Sequence, residues 1–265
     1  MKFTSEIQAK KQTGLSYIGT INSSAKLIKN KKVSGQYTYI IYLAPYKQSG
    51  YNVCPYSTPE CRMGCLNTSG RAGMEYASGK SVISNCRINK TKLFFEHQDF
   101  FMNWVVAEMT RWQTKAKKDG FEFSARLNGT SDIHWENVKL NGKNIYELFP
   151  DVQFYDYTKS SKKMELNIPN YQLTYSYTGK NDKAAMELIN NGKNVAVVFN
   201  VHKNQSLPNK FNGYKVVDGD KTDYRPDDGN NVVVGLRFKH IGNKQAETEV
   251  KNSCFVIQSS DKRCS

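Results

Sequence analysis

Short apolar segments separated by helical stretches constrain this chain more than any other feature. The segments with the composition of core strands are 37–44, 121–127, 152–155, 171–175, 195–199, 215–217 and 232–236. Helical patterns lie around them at 72–84, 90–118, 144–149, 161–165 and 181–191. This alternation predicts a parallel sheet with right-handed crossovers. We expect an α/β fold with a single partial or closed β/α barrel of about six to seven parallel strands. A doubly wound sheet is the alternative.

The region before the first core strand differs in composition from the rest. Residues 1–36 are polar and lysine-rich, and we interpret them as an N-terminal extension, with a short strand or hairpin around 15–18 and 25–28. Residues 37–265 are then the barrel-like domain, which the chain is long enough to form.

Charge and hydropathy indicate the compartment and the class of partner. The sequence has no apolar run long enough to span a bilayer and no apolar stretch near residue 1, so we expect a cytoplasmic protein that does not enter a membrane. The net charge of +14 favours a nucleotide or nucleic acid as partner. The alternative is that the lysines only keep the protein soluble. The oligomeric state cannot be read from the sequence.

Three cysteines follow the first core strand with C-x6-C-x3-C spacing: Cys54, Cys61 and Cys65. In a reducing compartment such a cluster indicates a metal site rather than disulfides. Thiolates bind zinc or iron–sulfur clusters, and three thiolates leave one iron of a [4Fe–4S] cluster open. Zinc is the alternative, with Cys86 as a fourth ligand. Cys254 and Cys264 are expected to be structural or incidental.

Polar residues stand at the ends of the predicted strands, where β/α barrels collect their functional groups. We predict catalytic roles for Arg126, Asp132, Asp156 and Lys159, and cofactor binding by Asn128, Ser131, Ser176, Asn200 and Arg237. The alternative is that Asn, Asp and Ser end strands as turn residues. Arg126 lies within a strand, so it needs an anion or a carboxylate partner. A structural Arg–Asp pair would serve equally well.

Two other polar features favour a structural interpretation. His134 and His202 are each more typical of an exposed or hydrogen-bonded histidine than of a metal ligand. The acidic stretch 218–228 has the ligand chemistry for Mg²⁺, but a solvated loop in a basic protein explains it better.

Several segments together resemble one phage protein family. They are the cysteine loop with Asn67-Thr-Ser-Gly-Arg71, then 91–95, Ala125-Arg-Leu-Asn-Gly-Thr-Ser-Asp132, 154–159, 194–199, 217–220 and 232–236. This set resembles the phage "gene product 88" group over about residues 37–258. The resemblance implies a phage or phage-derived gene, and hence a host cytoplasm, but no activity.

The layout is also similar to that of radical S-adenosylmethionine enzymes, which place a three-cysteine loop after the first strand of a partial β/α barrel. That similarity implies a [4Fe–4S] cluster on the three cysteines and S-adenosylmethionine as cofactor, although the usual spacing there is C-x3-C-x2-C. The expected function is an iron–sulfur enzyme acting on a nucleotide or a nucleic-acid-related substrate. The alternative is a nucleic-acid-binding phage protein with a structural zinc or iron–sulfur clamp and no radical chemistry.

Overall fold

The computed structural model describes residues 1–21, 24–65, 82–241 and 243–264, apart from the side chain of Lys26. Residues 72–81 of the helix predicted at 72–84 lie outside the described residues. The α-helices are α1 Glu6–Thr13, α2 Ala25–Ser34, α3 Pro59–Met63, α4 Val82–Glu96, α5 Gln98–Lys118, α6 Ile145–Leu148, α7 Asp182–Asn190 and α8 Lys244–Lys251.

The strands are short and lie between these helices. They are β1 Gly19–Thr20, β2 Gln36–Ile41, β3 Glu122–Arg126, β4 Gln153–Thr158, β5 Tyr171–Ser176, β6 Asn194–Asn200, β7 Lys210–Phe211, β8 Tyr214–Asp218, β9 Val233–Arg237 and β10 Val256–Gln258. Short 3₁₀ helices cover Trp135–Asn137, Lys162–Glu165 and Arg225–Asp228. All the predicted core strands are confirmed, each within a few residues of its predicted bounds.

The described residues form two units. The first contains those of 1–55 and 82–156 together with 168–172, and the second contains 56–65, 157–167 and those from 173 onward. Residues 1–36, which we predicted as a polar extension, supply α1, β1 and α2 to the first unit.

The sheet of the first unit has the order β1-β2-β3-β4. β1 is antiparallel to β2, whereas β2, β3 and β4 are parallel, with Tyr39 opposite Ala125 and Ala125 opposite Phe154. Every residue of β2 is buried, as expected for a parallel strand covered on both faces. Because β2, β3 and β4 run the same way, the chain leaves the sheet at the same edge after each of them.

Helices α4 and α5 replace the single helix predicted over 90–118. The prediction was wrong at His97, whose φ of −143° and ψ of 59° interrupt the helix. The spacing of apolar residues did identify the buried face of α5, which includes Phe101, Trp104 and Met109. Phe94 of α4 packs edge-on against Phe101 with ring centroids 5.3 Å apart.

Helix α2 corrects another prediction, because residues 25–28 were expected to form a strand. The hydroxyl of Ser24 accepts a hydrogen bond from the N–H of Leu27, and Gly35 ends the helix with a φ of 64°. Asn30 is buried on this helix and donates to the side chains of Thr38 and Tyr155. These caps favour a helix despite the weak apolar pattern.

The sheet of the second unit is centred on β6. β9 pairs with one edge of β6, while β5 and β10 share its other edge, at Asn194–Ala196 and Val198–Asn200 respectively. β8 pairs with β9 in parallel, and β7 is antiparallel to β8. The core beside this sheet contains Tyr177, Phe199 and Phe211, which pack edge to face.

The expected mixed α/β architecture with a large, mostly parallel sheet is confirmed. None of the helices in the described part of the chain has the length and apolar character needed to cross a bilayer.

Candidate functional site

The carboxylate of Asp156 organises the strand ends of the first unit. It lies in β4, is 1% exposed, and accepts a 2.8 Å hydrogen bond on Oδ1 from the backbone N–H of Asn128. Its other oxygen accepts from the Tyr171 hydroxyl at 3.2 Å. Arg126 Nε lies 4.0 Å from Oδ1, so the buried guanidinium has the carboxylate partner that the sequence required. These contacts favour the structural Arg–Asp pair.

The side chain of Asn128 fixes the loop after β3. Its Oδ1 accepts hydrogen bonds from the hydroxyl of Ser131 at 2.8 Å, the N–H of Ile133 at 2.9 Å and the indole N–H of Trp135 at 3.1 Å. Its Nδ2 donates to the Ile133 carbonyl at 3.1 Å. One buried amide thus holds both ends of the segment 128–135, which we call the strand-end loop.

Gly129 brings the strand-end loop against the end of β2. Its N–H donates to the carbonyl of Ile41 at 3.0 Å. A Cβ at this position would lie 2.6 Å from that carbonyl oxygen and 2.8 Å from Cδ1 of Tyr42. Only glycine allows this approach without displacing backbone.

The first of the three clustered cysteines lies beside the same loop. Cys54 Sγ is 3.6 Å from the carbonyl oxygen of Thr130 and accepts from the N–H of Tyr46 at 3.4 Å. The N–H of Asp132 donates to the carbonyl of Val53 at 2.8 Å. Cys54 and Asp132, which are predicted site residues far apart in sequence, therefore lie on adjoining backbone segments.

His134 and Glu136 form a histidine–carboxylate pair in the first unit. The Nδ1 atom of His134 lies 2.5 Å from Oε1 of Glu136, and the histidine side chain is 30% exposed. A carboxylate at Nδ1 orients the ring and leaves Nε2 as the proton-accepting nitrogen of the neutral form. Sequence reasoning placed His134 among structural residues. Its position after a strand end, two residues before a glutamate, was the available signal.

Two buried tyrosines line the far side of Asp156. The rings of Tyr146 and Tyr171 stack with centroids 4.4 Å apart. Burial, with Asp156 nearby, raises the pKa of both hydroxyls well above the usual value. They stay protonated at neutral pH, so the Tyr171 hydroxyl acts as a donor to the carboxylate.

The remaining site residues predicted at strand ends belong to the second unit. Lys159 comes directly after β4, Ser176 ends β5, and Asn200 ends β6 with its amide bonded to the side chain of Gln258 at 2.8 Å. Arg237 ends β9 and contacts Asp218 at 2.9 Å and Asp220 at 3.5 Å. The acidic stretch considered for Mg²⁺ is therefore paired with an arginine, which explains it as structure.

Burial opposes ionisation of Asp218, but the hydrogen bonds from Arg237 and from the N–H of Asp220, together with the charges of Arg237 and Lys221, outweigh it and hold the pKa below its usual value. In the same unit, Cys61 lies in α3 and Cys65 comes just after that helix. The Thr58 hydroxyl caps α3 by accepting from the N–H of Cys61 at 3.2 Å.

Across the residues that the structure describes, which include all the cysteines, no group of three or more His, Cys, Asp or Glu side chains could hold a metal ion. The three-cysteine metal centre therefore stays a prediction.

The comparisons with known proteins agree with the sequence resemblance. The family model described as Gene product 88 matches residues 15–256, which is most of the chain. The chain belongs to the Gene product 88 family. The predicted membership of this phage protein family is therefore confirmed. Searches of curated proteins and of solved structures gave no match.

The range shared with the Gene product 88 family contains the candidate site. It includes Cys54, Cys61 and Cys65, the strand-end loop and Asp156, but not Cys264. A variant of Cys264 is therefore a suitable control for variants of the clustered cysteines.

Proposed function

We propose that this protein is an iron–sulfur enzyme of the radical S-adenosylmethionine type, built on a partial β/α barrel, that acts on a nucleotide or nucleic-acid-related substrate. The observation that carries the proposal is the contact between Cys54 Sγ and the carbonyl of Thr130. It joins the first predicted cluster ligand to the loop that also carries Asp132 and His134. In parallel α/β folds, the carboxyl ends of strands are where substrates and cofactors bind.

The three thiols are of the ligand type that such a cluster takes. The N–H of Tyr46 points at Cys54 Sγ, and N–H groups directed at sulfur stabilise thiolate ligands. Cys61 and Cys65 are half-buried and lie four residues apart, on α3 and just after it. These cysteines would hold the cluster, with zinc as the competing metal. When bound, a [4Fe–4S] cluster with three protein thiolates supplies one-electron chemistry and an open iron for S-adenosylmethionine.

The chain's own residues position the substrate and move protons. Asn128 and Asp156 are buried and hydrogen-bonded, which gives them the role of fixing the strand-end loop. We assign Asp132 to substrate binding and the His134–Glu136 pair to proton transfer, because a partly exposed imidazole beside a carboxylate suits general acid–base work. Lys159, Ser176, Asn200 and Arg237 stay predicted site residues.

Anaerobic purification and then iron and sulfide analysis test the proposal. We expect about four of each per chain and cleavage of S-adenosylmethionine on reduction. Cys54→Ser, Cys61→Ser and Cys65→Ser should each lose the iron while keeping the fold, as judged by circular dichroism. Cys264→Ser is the matched control and should keep the iron.

Other outcomes would contradict the proposal. A colourless protein with one zinc per chain, and cysteine variants that unfold, would indicate a structural metal clamp. Iron content that is equal in Cys54→Ser and Cys264→Ser would exclude Cys54 as a ligand.

A further inference from the structure

Lys90 is a buried cation without a carboxylate partner in the described part of the chain. The residue is 3% exposed, and no carboxylate oxygen of the described residues lies within 4.0 Å of its ammonium. Its Nζ atom lies 4.0 Å from the ring centroid of Tyr17. An ammonium in such a position is costly because the ring only partly replaces water. Burial lowers the pKa of Lys90 to about 8.

The neighbouring carboxylate is committed to other donors. Glu108 of α5 is fully buried and accepts from the N–H groups of Ile18 at 3.0 Å and Gly19 at 2.8 Å. The hydroxyl of Tyr39 also donates to it at 2.7 Å. Glu108 acts on the charge of Lys90 only from beyond ion-pair distance, so no carboxylate of the described residues pairs with the ammonium.

A second cation lies one turn earlier on the same face of α4. Arg87 is half-buried, and its guanidinium carbon lies 5.0 Å from the ring centroid of Tyr42. The Tyr42 ring in turn lies against Gly129 of the strand-end loop. The two cation–aromatic pairs therefore stand at the same end of β2 as the candidate site.

We propose that Arg87 and Lys90 form a phosphate-binding subsite for a nucleotide, with Tyr17 and Tyr42 contacting its base or sugar. Arginine and lysine are the residues that bind phosphate, and tyrosine rings stack on bases of any sequence. The inference deepens the proposed function, since it names the substrate class of that site. Because Lys90 is buried, we expect the subsite to bind a small ligand with a terminal phosphate rather than the backbone of a nucleic acid polymer.

Calorimetric titration of the full chain with adenosine 5′-monophosphate, adenosine and inorganic phosphate tests the subsite. Removing a charge-assisted contact to phosphate should weaken monophosphate binding at least about tenfold in Lys90→Met. The wild type should bind adenosine at least about tenfold more weakly than the monophosphate. Lys92→Met is the matched control, because Lys92 is exposed on the same helix, and its affinity should stay within about twofold of wild type.

A second measurement does not depend on a variant that folds. The melting temperature of the wild type should rise when the monophosphate is added and change little with adenosine, because a ligand that binds only the folded chain stabilises it. An unchanged melting temperature at saturating monophosphate would overturn the proposal. Equal affinity in wild type and Lys90→Met, or a preference for a single-stranded oligonucleotide that Lys90→Met leaves intact, would also overturn it.

Failure of the subsite can be distinguished from failure of the proposed enzyme. Monophosphate binding that persists in Cys54→Ser supports the subsite even if no cluster assembles. If the iron-loaded wild type does not bind the monophosphate, only the subsite is overturned.

Discussion

The backbone N–H of Asn128 donates a 2.8 Å hydrogen bond to Oδ1 of Asp156, which ties the loop after β3 to β4. Asp156→Asn removes one carboxylate oxygen and leaves the buried guanidinium of Arg126 without its charge partner. Breaking a buried pair of this kind costs about 3 kcal/mol. Urea unfolding should show that loss. Asp151→Asn, at an exposed position before β4, should change the free energy of unfolding by less than about 0.5 kcal/mol. Equal effects in the two variants would contradict the role of Asp156.

The neutral ring of His134 should carry its proton on Nδ1, because Glu136 lies 2.5 Å from that nitrogen. Nitrogen NMR of labelled protein at alkaline pH measures the tautomer directly. His202 is the internal control, since its Nδ1 accepts from the N–H of Asn204 and its proton should sit on Nε2. Glu136→Gln should remove the preference at His134 alone. The same tautomer at both histidines would contradict the pairing.

Lys90 should make the stability of the protein depend on alkaline pH. Its pKa is lowered to about 8 in the folded chain, first by burial and also by Arg87, while the thiol of Cys86 and the Glu108 carboxylate act in the opposite direction. Between that pH and the ordinary lysine pKa the unfolded chain binds more protons, so stability rises with pH. Burial raises the pKa of Tyr17, so its hydroxyl ionises less readily there than that of an ordinary tyrosine.

The difference in unfolding free energy between wild type and Lys90→Met isolates this effect. It should shift in favour of wild type by about 2 kcal/mol from pH 7.5 to pH 10. Lys92→Met should show no such trend. A flat difference for Lys90→Met would mean that the amine is solvated.

Glu108 should be among the costliest single positions in the first unit. Glu108→Ala leaves two backbone N–H groups and the Tyr39 hydroxyl buried without their acceptor, which costs about 3 kcal/mol or more. Glu96→Ala is the matched control, because Glu96 is exposed and accepts a hydrogen bond from the Tyr51 hydroxyl at 3.2 Å. In thermal unfolding, the melting temperature of Glu96→Ala should be close to that of the wild type. Similar melting temperatures for both variants would contradict the assigned role.

The core strands could be predicted because parallel strands covered on both faces are continuous apolar runs, as in β2 and β6. Helix α8 escaped prediction because its only apolar residues are Ala246 and Val250, and two positions are too few to establish a helical period in the sequence. The break at His97 likewise leaves no mark on the spacing of apolar residues around it.

The site was predicted in part, for a similar physical reason. Strand-end position identified Asn128, Asp132 and Asp156, since the carboxyl ends of parallel strands meet at one edge of the sheet. The hydrogen bonds that occupy Asn128 depend on the path of the loop, and no residue pattern encodes them. Lys90 looked like any other lysine on a predicted helix, because the Tyr17 ring beside its ammonium lies far away in sequence.

The conformation of Asn128 and Gly129 also protects this sequence chemically. Asn-Gly sequences deamidate slowly over time, because the glycine backbone nitrogen attacks the carbonyl carbon of the asparagine side chain. Here that nitrogen donates to Ile41 and the carbonyl oxygen is held by three donors, so the folded chain blocks the reaction. Asn141-Gly142 lies exposed in a turn and has no such protection. Spontaneous damage during storage should therefore accumulate at exposed Asn-Gly steps such as Asn141-Gly142, while the strand-end loop keeps its amide for as long as the protein stays folded.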